Sequence, residues 1–293
     1  MTGQLPGAGQ VFLDHVAHFV PAMDVAAETL ERCGFRLTPF TAQTNLVDGE
    51  PVAAGTANRC AMLQRGYIEI LAATSDTTLA QQLAERLTRH VGLHLAAFST
   101  ADTAGERQRL AAAGFPVLAL VDMRRPVATD GGEDWARFTI ARIAPSIMPE
   151  GRMQFLTHHT EELVWREPYL DHPNGAHALT AVWVAAVDPV EPAERFARFT
   201  GRPIRPEGEV STIPLDRGAI RIATPEFLYT RLGIAPGPPL PYLAAYEIGV
   251  ASHQQLTERL AAAGLIYIPL GDRIAVTLPP SIGGTILFHE TAI

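Results

Sequence analysis

An α+β fold of four βαβββ modules, arranged as two paired domains, is what this 293-residue sequence predicts. Three observations carry that expectation. Arg109-Leu-Ala-Ala-Ala-Gly114 recurs letter for letter as Arg259-Leu-Ala-Ala-Ala-Gly264. A short apolar strand pattern precedes each copy, and strand-like runs follow both, so the repeat extends to the flanking elements. The same order of elements occurs twice more, which makes four units beginning near residues 11, 92, 179 and 243.

Each unit opens with a strand: Val11 to Val20, Leu93 to Ser99, Leu179 to Val187, and Ala245 to Val250. A helix follows and stops at Gly34, Gly114, Gly201 or Gly264, as a residue that must enter the left-handed region does. Later strands are read at Cys60–Leu63, Tyr67–Leu71, Phe138–Ile143, Met153–Leu156, Ala219–Ile222, Arg273–Thr277 and Thr285–Phe288. One such unit has a single helix on one sheet face, so two must pair to shield an apolar sheet and form a cavity. The predicted domains are residues 1–160 and 177–293, joined by a polar, turn-rich stretch around Glu161-Glu162, Pro168 and His172-Pro-Asn-Gly175.

Composition narrows the function. With 47% hydrophobic residues the chain can bury a large core, and a net charge of −8 argues against a nucleic-acid binder or a polybasic membrane anchor. All 23 basic residues are Arg, which excludes Schiff-base chemistry and a P-loop lysine. Two cysteines, Cys33 and Cys60, are too few for a disulfide scaffold or a Cys-rich zinc module. The sequence shows no apolar run of membrane-spanning length and no signal-peptide pattern, so a cytoplasmic protein with a small-molecule partner is expected. Dinucleotide, nucleophile-elbow and zincin motifs are not found.

Strand alternation places His15 on one face with Ala17 and Phe19, and Asp14 and His18 on the other. If first and last strands of each module supply one polar residue apiece, pairing brings together His15, Glu69, His94 and Gln154. Two imidazoles, a carboxylate and an amide oxygen suit Zn²⁺, Mn²⁺, Fe²⁺, Ni²⁺ or Co²⁺ rather than Ca²⁺. Glu69 can also shuttle a proton as the catalytic residue. Asn58 and Arg59 are candidates to orient an anionic substrate, and His158, on the face of Gln154, is a candidate ligand or substrate contact. The matching places in the second half hold Ala181, Arg221, Ala244 and Leu287, so the chemistry belongs to the first domain.

Leu13-Asp-His-Val16, Tyr67-Ile-Glu-Ile-Leu71, Gly92-Leu-His-Leu-Ala-Ala-Phe98 and Gly55-Thr-Ala-Asn-Arg59 together resemble the vicinal oxygen chelate superfamily, in particular its glyoxalase-like proteins. That resemblance implies paired βαβββ modules with a divalent metal on the concave sheet. Carried over, the metal positions are His15, Glu69 and His94, with Gln154 where a Glu is more usual. It implies a metal-dependent enzyme acting on a small oxygenated organic molecule, an isomerising lyase first and a ring-cleaving dioxygenase second. A metal-free, drug-sequestering protein of the same fold is the alternative. The second domain either covers the cavity or forms a homodimer surface.

Overall fold

The computed structural model describes residues 3–47, 50–129 and 131–292. The first module comprises β1 (Phe12–Phe19), α1 (Met23–Arg32), β2 (Thr41–Val47), β3 (Glu50–Met62) and β4 (Tyr67–Ala73). After α2 (Thr78–Arg89) the order repeats as β5 (Gly92–Ser99), α3 (Thr103–Ala112), β6 (Val121–Thr129), β7 (Gly132–Arg142) and β8 (Arg152–His158). A short α4 (Glu161–Val164) precedes β9 (Ala176–Ala185), α5 (Val190–Thr200), β10 (Arg205–Glu207), β11 (Val210–Pro214) and β12 (Ala219–Ala223). Then α6 (Pro225–Leu232) leads to β13 (Tyr242–Val250), α7 (His253–Ala262), β14 (Ile268–Leu270), β15 (Arg273–Thr277) and β16 (Thr285–Glu290).

The four module helices lie where the glycine stops place them. In the letter-for-letter repeat, Asp102 caps α3 and Ser252 caps α7, each side chain accepting a backbone N–H in the first turn. Gly114 and Gly264 then take φ of 84° and 65°, and each repeat ends there. The helix α2 was not anticipated. Thr77 caps it by accepting from the Ala80 N–H, and Ala80, Leu83 and Leu87 form one apolar stripe facing the first sheet.

The first sheet closes into a barrel in the order β1-β4-β3-β2-β6-β7-β8-β5. Closure comes where β2 meets β6, Thr44 opposite Arg124 and Asn45 opposite Met123. The second sheet repeats the pattern, β10-β11-β12-β9-β13-β16-β15-β14, but stays open, because its edge strands β10 and β14 have three residues each.

The outer faces of the two sheets and the module helices share one core. Val16, Ile68 and Phe155 of the first sheet meet Val182, Tyr246 and Phe288 of the second there, with Leu30, Leu110, Phe196 and Leu256 from the helices. Backbones approach closely at Gly66 and Gly218, which precede β4 and β12 with φ of 80° and 88°. A Cβ on Gly66 would lie 2.7 Å from the Asp14 carbonyl oxygen, and one on Gly218 2.7 Å from the Leu13 Cβ. A separate apolar cluster fills the barrel interior and a third lines the concave face of the open sheet. Among the described residues no helix is long and apolar enough to cross a membrane.

Candidate active site in the first barrel

The barrel interior holds a cavity lined by His15, Asn58, Glu69 and Gln154 together with three arginines, Arg125, Arg142 and Arg152. Apolar walls from Leu71, Leu95, Ile140 and Leu156 surround them. The open space is about 50 Å³, room for a few water-sized groups.

His15 is oriented by Asp14. Its Nδ1 lies 2.7 Å from Asp14 Oδ1, and the other carboxylate oxygen lies 2.9 Å from His158 Nε2. An imidazole facing an acceptor-only carboxylate donates its N–H, so His15 points its Nδ1 proton at Asp14 and turns Nε2 into the cavity. That Nε2 lies 3.8 Å from Glu69 Oε2, while Tyr67 stacks on the ring at 4.3 Å. Burial alone would raise the Asp14 carboxyl. The pull of His158 and the hydrogen bonds from both imidazoles outweigh it and hold Asp14 well below the usual carboxylate range.

This contact corrects the simple alternation, which puts Asp14 on the opposite face from His15. Leu13 pairs with Phe98 and His15 with Ala97, so Asp14 is the extra residue of a β-bulge, which brings its carboxylate to the His15 ring. His158 is held by that carboxylate and packs on Trp165 at 4.7 Å. It does not line the cavity, so it does not meet a ligand there as expected.

Glu69 Oε1 accepts from Asn58 Nδ2 at 2.6 Å and from Gln43 Nε2 at 3.3 Å, and Thr56 fixes the Gln43 amide. Asn58 Oδ1 is buried without a partner. Gln154 is present, but its Oε1 accepts from Arg142 Nε at 3.1 Å. Arg59 points out of the barrel, bound to Glu31 Oε1 at 2.8 Å and to the Thr38 carbonyl, so it does not meet a ligand in the cavity.

The expected position of His94 is overturned by a second bulge. Ala17 pairs with Leu95 and His18 with Leu93, leaving His94 as the extra residue on β5. In the barrel register His15 lies beside Tyr67 and Ala17 beside Glu69, while Leu95 lies beside Arg152 and Ala97 beside Gln154. The place matching His15 is therefore Leu95, one residue on. In the second half the same one-residue slip makes the match Ala245 rather than Ala244. His94 instead turns away from the cavity: its Nε2 donates to the His90 carbonyl at 2.8 Å and its ring lies tilted against His90 at 3.9 Å. Burial, followed by His90, pulls its pKa down to about 3.

A resident divalent metal does not fit this donor set. His15 and Glu69 face each other, but the third place is Leu95 and the fourth is a glutamine already bound to a guanidinium. Among the described residues no group of three or more His, Cys, Asp or Glu side chains is close enough to hold a metal ion. Three cationic guanidiniums on the same wall oppose a dication further.

Those arginines were not anticipated as site residues. Their signal was present: Arg152 shares the period-two face of Gln154 and His158, and Arg125 that of Met123. Arg125 is 8% exposed, makes no ion pair within 4 Å among the described residues, and leaves its Nε without an acceptor. The open sheet is the internal contrast. There Glu247 takes Arg221 at 2.8 Å, Arg273 at 3.5 Å and the Trp183 N–H at 2.9 Å, so its inward-facing cations are matched.

Paired βαβββ modules around a polar barrel cavity define the vicinal oxygen chelate fold. Residues 13–200 match the model of a glyoxalase-like domain, and the chain belongs to that family. No curated protein matches it in sequence. A hypothetical protein from Staphylococcus aureus is similar over 96% of this chain and 100% of its own, with TM-score 0.67 and 13% identity. A mutant 4-hydroxymandelate synthase from Streptomyces coelicolor is similar over 96% and 92%, with TM-score 0.57 and 13% identity. The Mn(II)-bound glyoxalase from Novosphingobium aromaticivorans is similar over 96% and 82%, with TM-score 0.55 and 13% identity. At these identities the likeness is one of fold.

Proposed function

We propose that the protein is an enzyme that binds a small 2-oxo or 2-hydroxy carboxylate in the first barrel and moves a proton at the carbon beside its oxygen function. One observation carries this reading: His15 Nε2, with Nδ1 held by Asp14, faces Glu69 Oε2 across 3.8 Å in a cavity whose arginines have no carboxylate partner within 4 Å among the described residues. A buried unpaired guanidinium is costly, and a bound carboxylate would relieve that cost with charge-assisted hydrogen bonds. Arg125 and Arg142 would hold the carboxylate, and Asn58 Oδ1 would accept from a substrate hydroxyl. His15 Nε2 would take the proton, and Asp14 would stabilise the imidazolium that results. Glu69, anchored through Oε1, would take or return a proton at Oε2. The apolar walls exclude water and strengthen each of these interactions.

This keeps the isomerising chemistry that the resemblance implied and departs from the metal-dependent lyase and the ring-cleaving dioxygenase, because the described residues of the barrel place no third His, Cys, Asp or Glu to hold a metal with His15 and Glu69. Binding without turnover is the second reading, supported by the saturation of Glu69 Oε1 by two amides. Incubating the protein with 2-oxobutyrate and 2-hydroxybutyrate in D₂O with EDTA, and following the proton signals by NMR, separates them. Exchange in wild type that is lost in His15→Ala supports the enzyme. Saturable binding with no exchange supports the sequestering protein, and neither binding nor exchange overturns both.

A further inference from the structure

Arg142 and Arg152 line two spaces at once. On one side is the barrel cavity of about 50 Å³, and on the other a cleft of about 670 Å³ between α2 and the 143–153 stretch. Four arginines, Arg86, Arg89, Arg142 and Arg152, line the cleft against one acid, Glu85. Every hydrogen-bond acceptor these guanidiniums find among the described residues is neutral. Arg142 has the Gln154 amide oxygen, Arg152 the Gln82 amide oxygen, and Arg86 the Pro145 carbonyl. Arg89 reaches the carbonyls of Pro149, Pro239 and Pro241. No ion pair within 4 Å among the described residues includes any of the four, and Glu150, the acid on the 143–153 stretch, is held by Arg195.

The charges also disfavour one another. Burial first, then Arg142 and Arg86, pull Arg152 down to about 9, and burial pulls Arg142 down to about 10. Arg86 is lowered by burial and next by Arg89. Four guanidiniums beside one acid, with neutral hydrogen-bond acceptors among the described residues, favour a bound anion, and the planar fork of Arg suits carboxylate and phosphate equally. Size is consistent with this, since the barrel admits only a few atoms and Arg142 and Arg152 line both spaces, so a longer ligand can pass them into the cleft.

We propose that the cleft holds a second acid group of the ligand, a carboxylate or a phosphate, so that the substrate is an elongated dianion reaching from His15 and Glu69 to Arg152 and Arg86. This rests on the reading of the barrel as a carboxylate site. The reacting end enters the barrel, and the distal anion rests against α2 at the mouth. Arg86 lines only the cleft and not the cavity, so it is the residue that reports on the distal group alone.

Calorimetric titrations in EDTA at low salt test this with matched probes: 2-oxobutyrate against 2-oxoglutarate and 2-oxoadipate, and glycerate against 3-phosphoglycerate. At least one dianion is expected to bind wild type ten or more times tighter than its monoanionic match, and the arm that shows the gain assigns the distal group as carboxylate or phosphate. In Arg86→Gln that gain falls at least fivefold, the matched monoanion changes less than twofold, and Arg86→Lys recovers part of the gain. Monoanion binding with no dianion gain in either arm, or equal weakening of both by Arg86→Gln, overturns the proposal and leaves the barrel reading standing. Loss of all binding in wild type overturns both.

Discussion

Replacing Asp14 by Asn removes the charge that joins His15 to His158 while preserving shape. The carboxylate accepts from the two imidazoles at 2.7 and 2.9 Å and is fully buried. Hydrogen bonds to a charged group contribute about 1.5–3 kcal/mol each. An amide keeps one acceptor and turns its NH₂ toward the other imidazole, so the expected loss is about 2–4 kcal/mol. Urea denaturation measures it. The sign with pH follows from the direction of the shift. Asp14 is lowered in the folded state, so its contribution is present above the unfolded carboxyl value near ~4 and is lost as pH falls below it. The gap between wild type and Asp14→Asn should therefore be widest at neutral pH and close on acidification. Proton exchange should fall at least about 100-fold, because an amide N–H facing His15 Nδ1 moves the imidazole proton to Nε2. A stability change under about 0.5 kcal/mol, constant from pH 7 to 3, would refute the Asp14 clasp.

Three further outcomes follow from the geometry. His18, bound to the Ile282 carbonyl and the Tyr246 hydroxyl, is lowered by burial to about 4, and His94 to about 3. Both are neutral when folded, so stability is full above the unfolded imidazole value and falls on acidification below it, by about 2 kcal/mol for each residue at pH 5; a flat stability from pH 7 to 5 would contradict it. Glu150→Ala breaks the bidentate clasp of Glu150 on Arg195, 2.8 and 2.7 Å, that ties the stretch before β8 to α5, and should cost about 3 kcal/mol in chemical denaturation. Leu95→His supplies the imidazole missing opposite His15, so elemental analysis after Zn²⁺ loading and dialysis should rise from under about 0.1 to about one equivalent.

Much of the architecture was legible because it repeats. The identical segments ending at Gly114 and Gly264 carry the same turn chemistry, and the alternation around His15 and Glu69 puts both inside the barrel. What was illegible came from single-residue slips. A strand has period two, so one extra residue moves a side chain to the other face, which is why Asp14 joins the site and His94 leaves it. Nothing in local periodicity announces such a bulge. The arginines were missed for a different reason: Arg125, Arg142 and Arg152 occupy inward positions, but a charge on a strand reads as solvent-facing until closure of the barrel encloses it. Helix α2, with its stripe at Ala80, Leu83 and Leu87, was readable from the same spacing that marks the module helices.

The central claim is that the barrel is an acid–base site for an organic anion and needs no metal. Calorimetric titration of 2-oxobutyrate into protein held in EDTA, wild type beside Arg125→Gln, tests it most directly. Saturable one-to-one binding, weakened at least tenfold by the substitution and reduced by added salt, is the predicted result. Binding that appears only after a divalent cation is restored, or that is indifferent to Arg125, would contradict it.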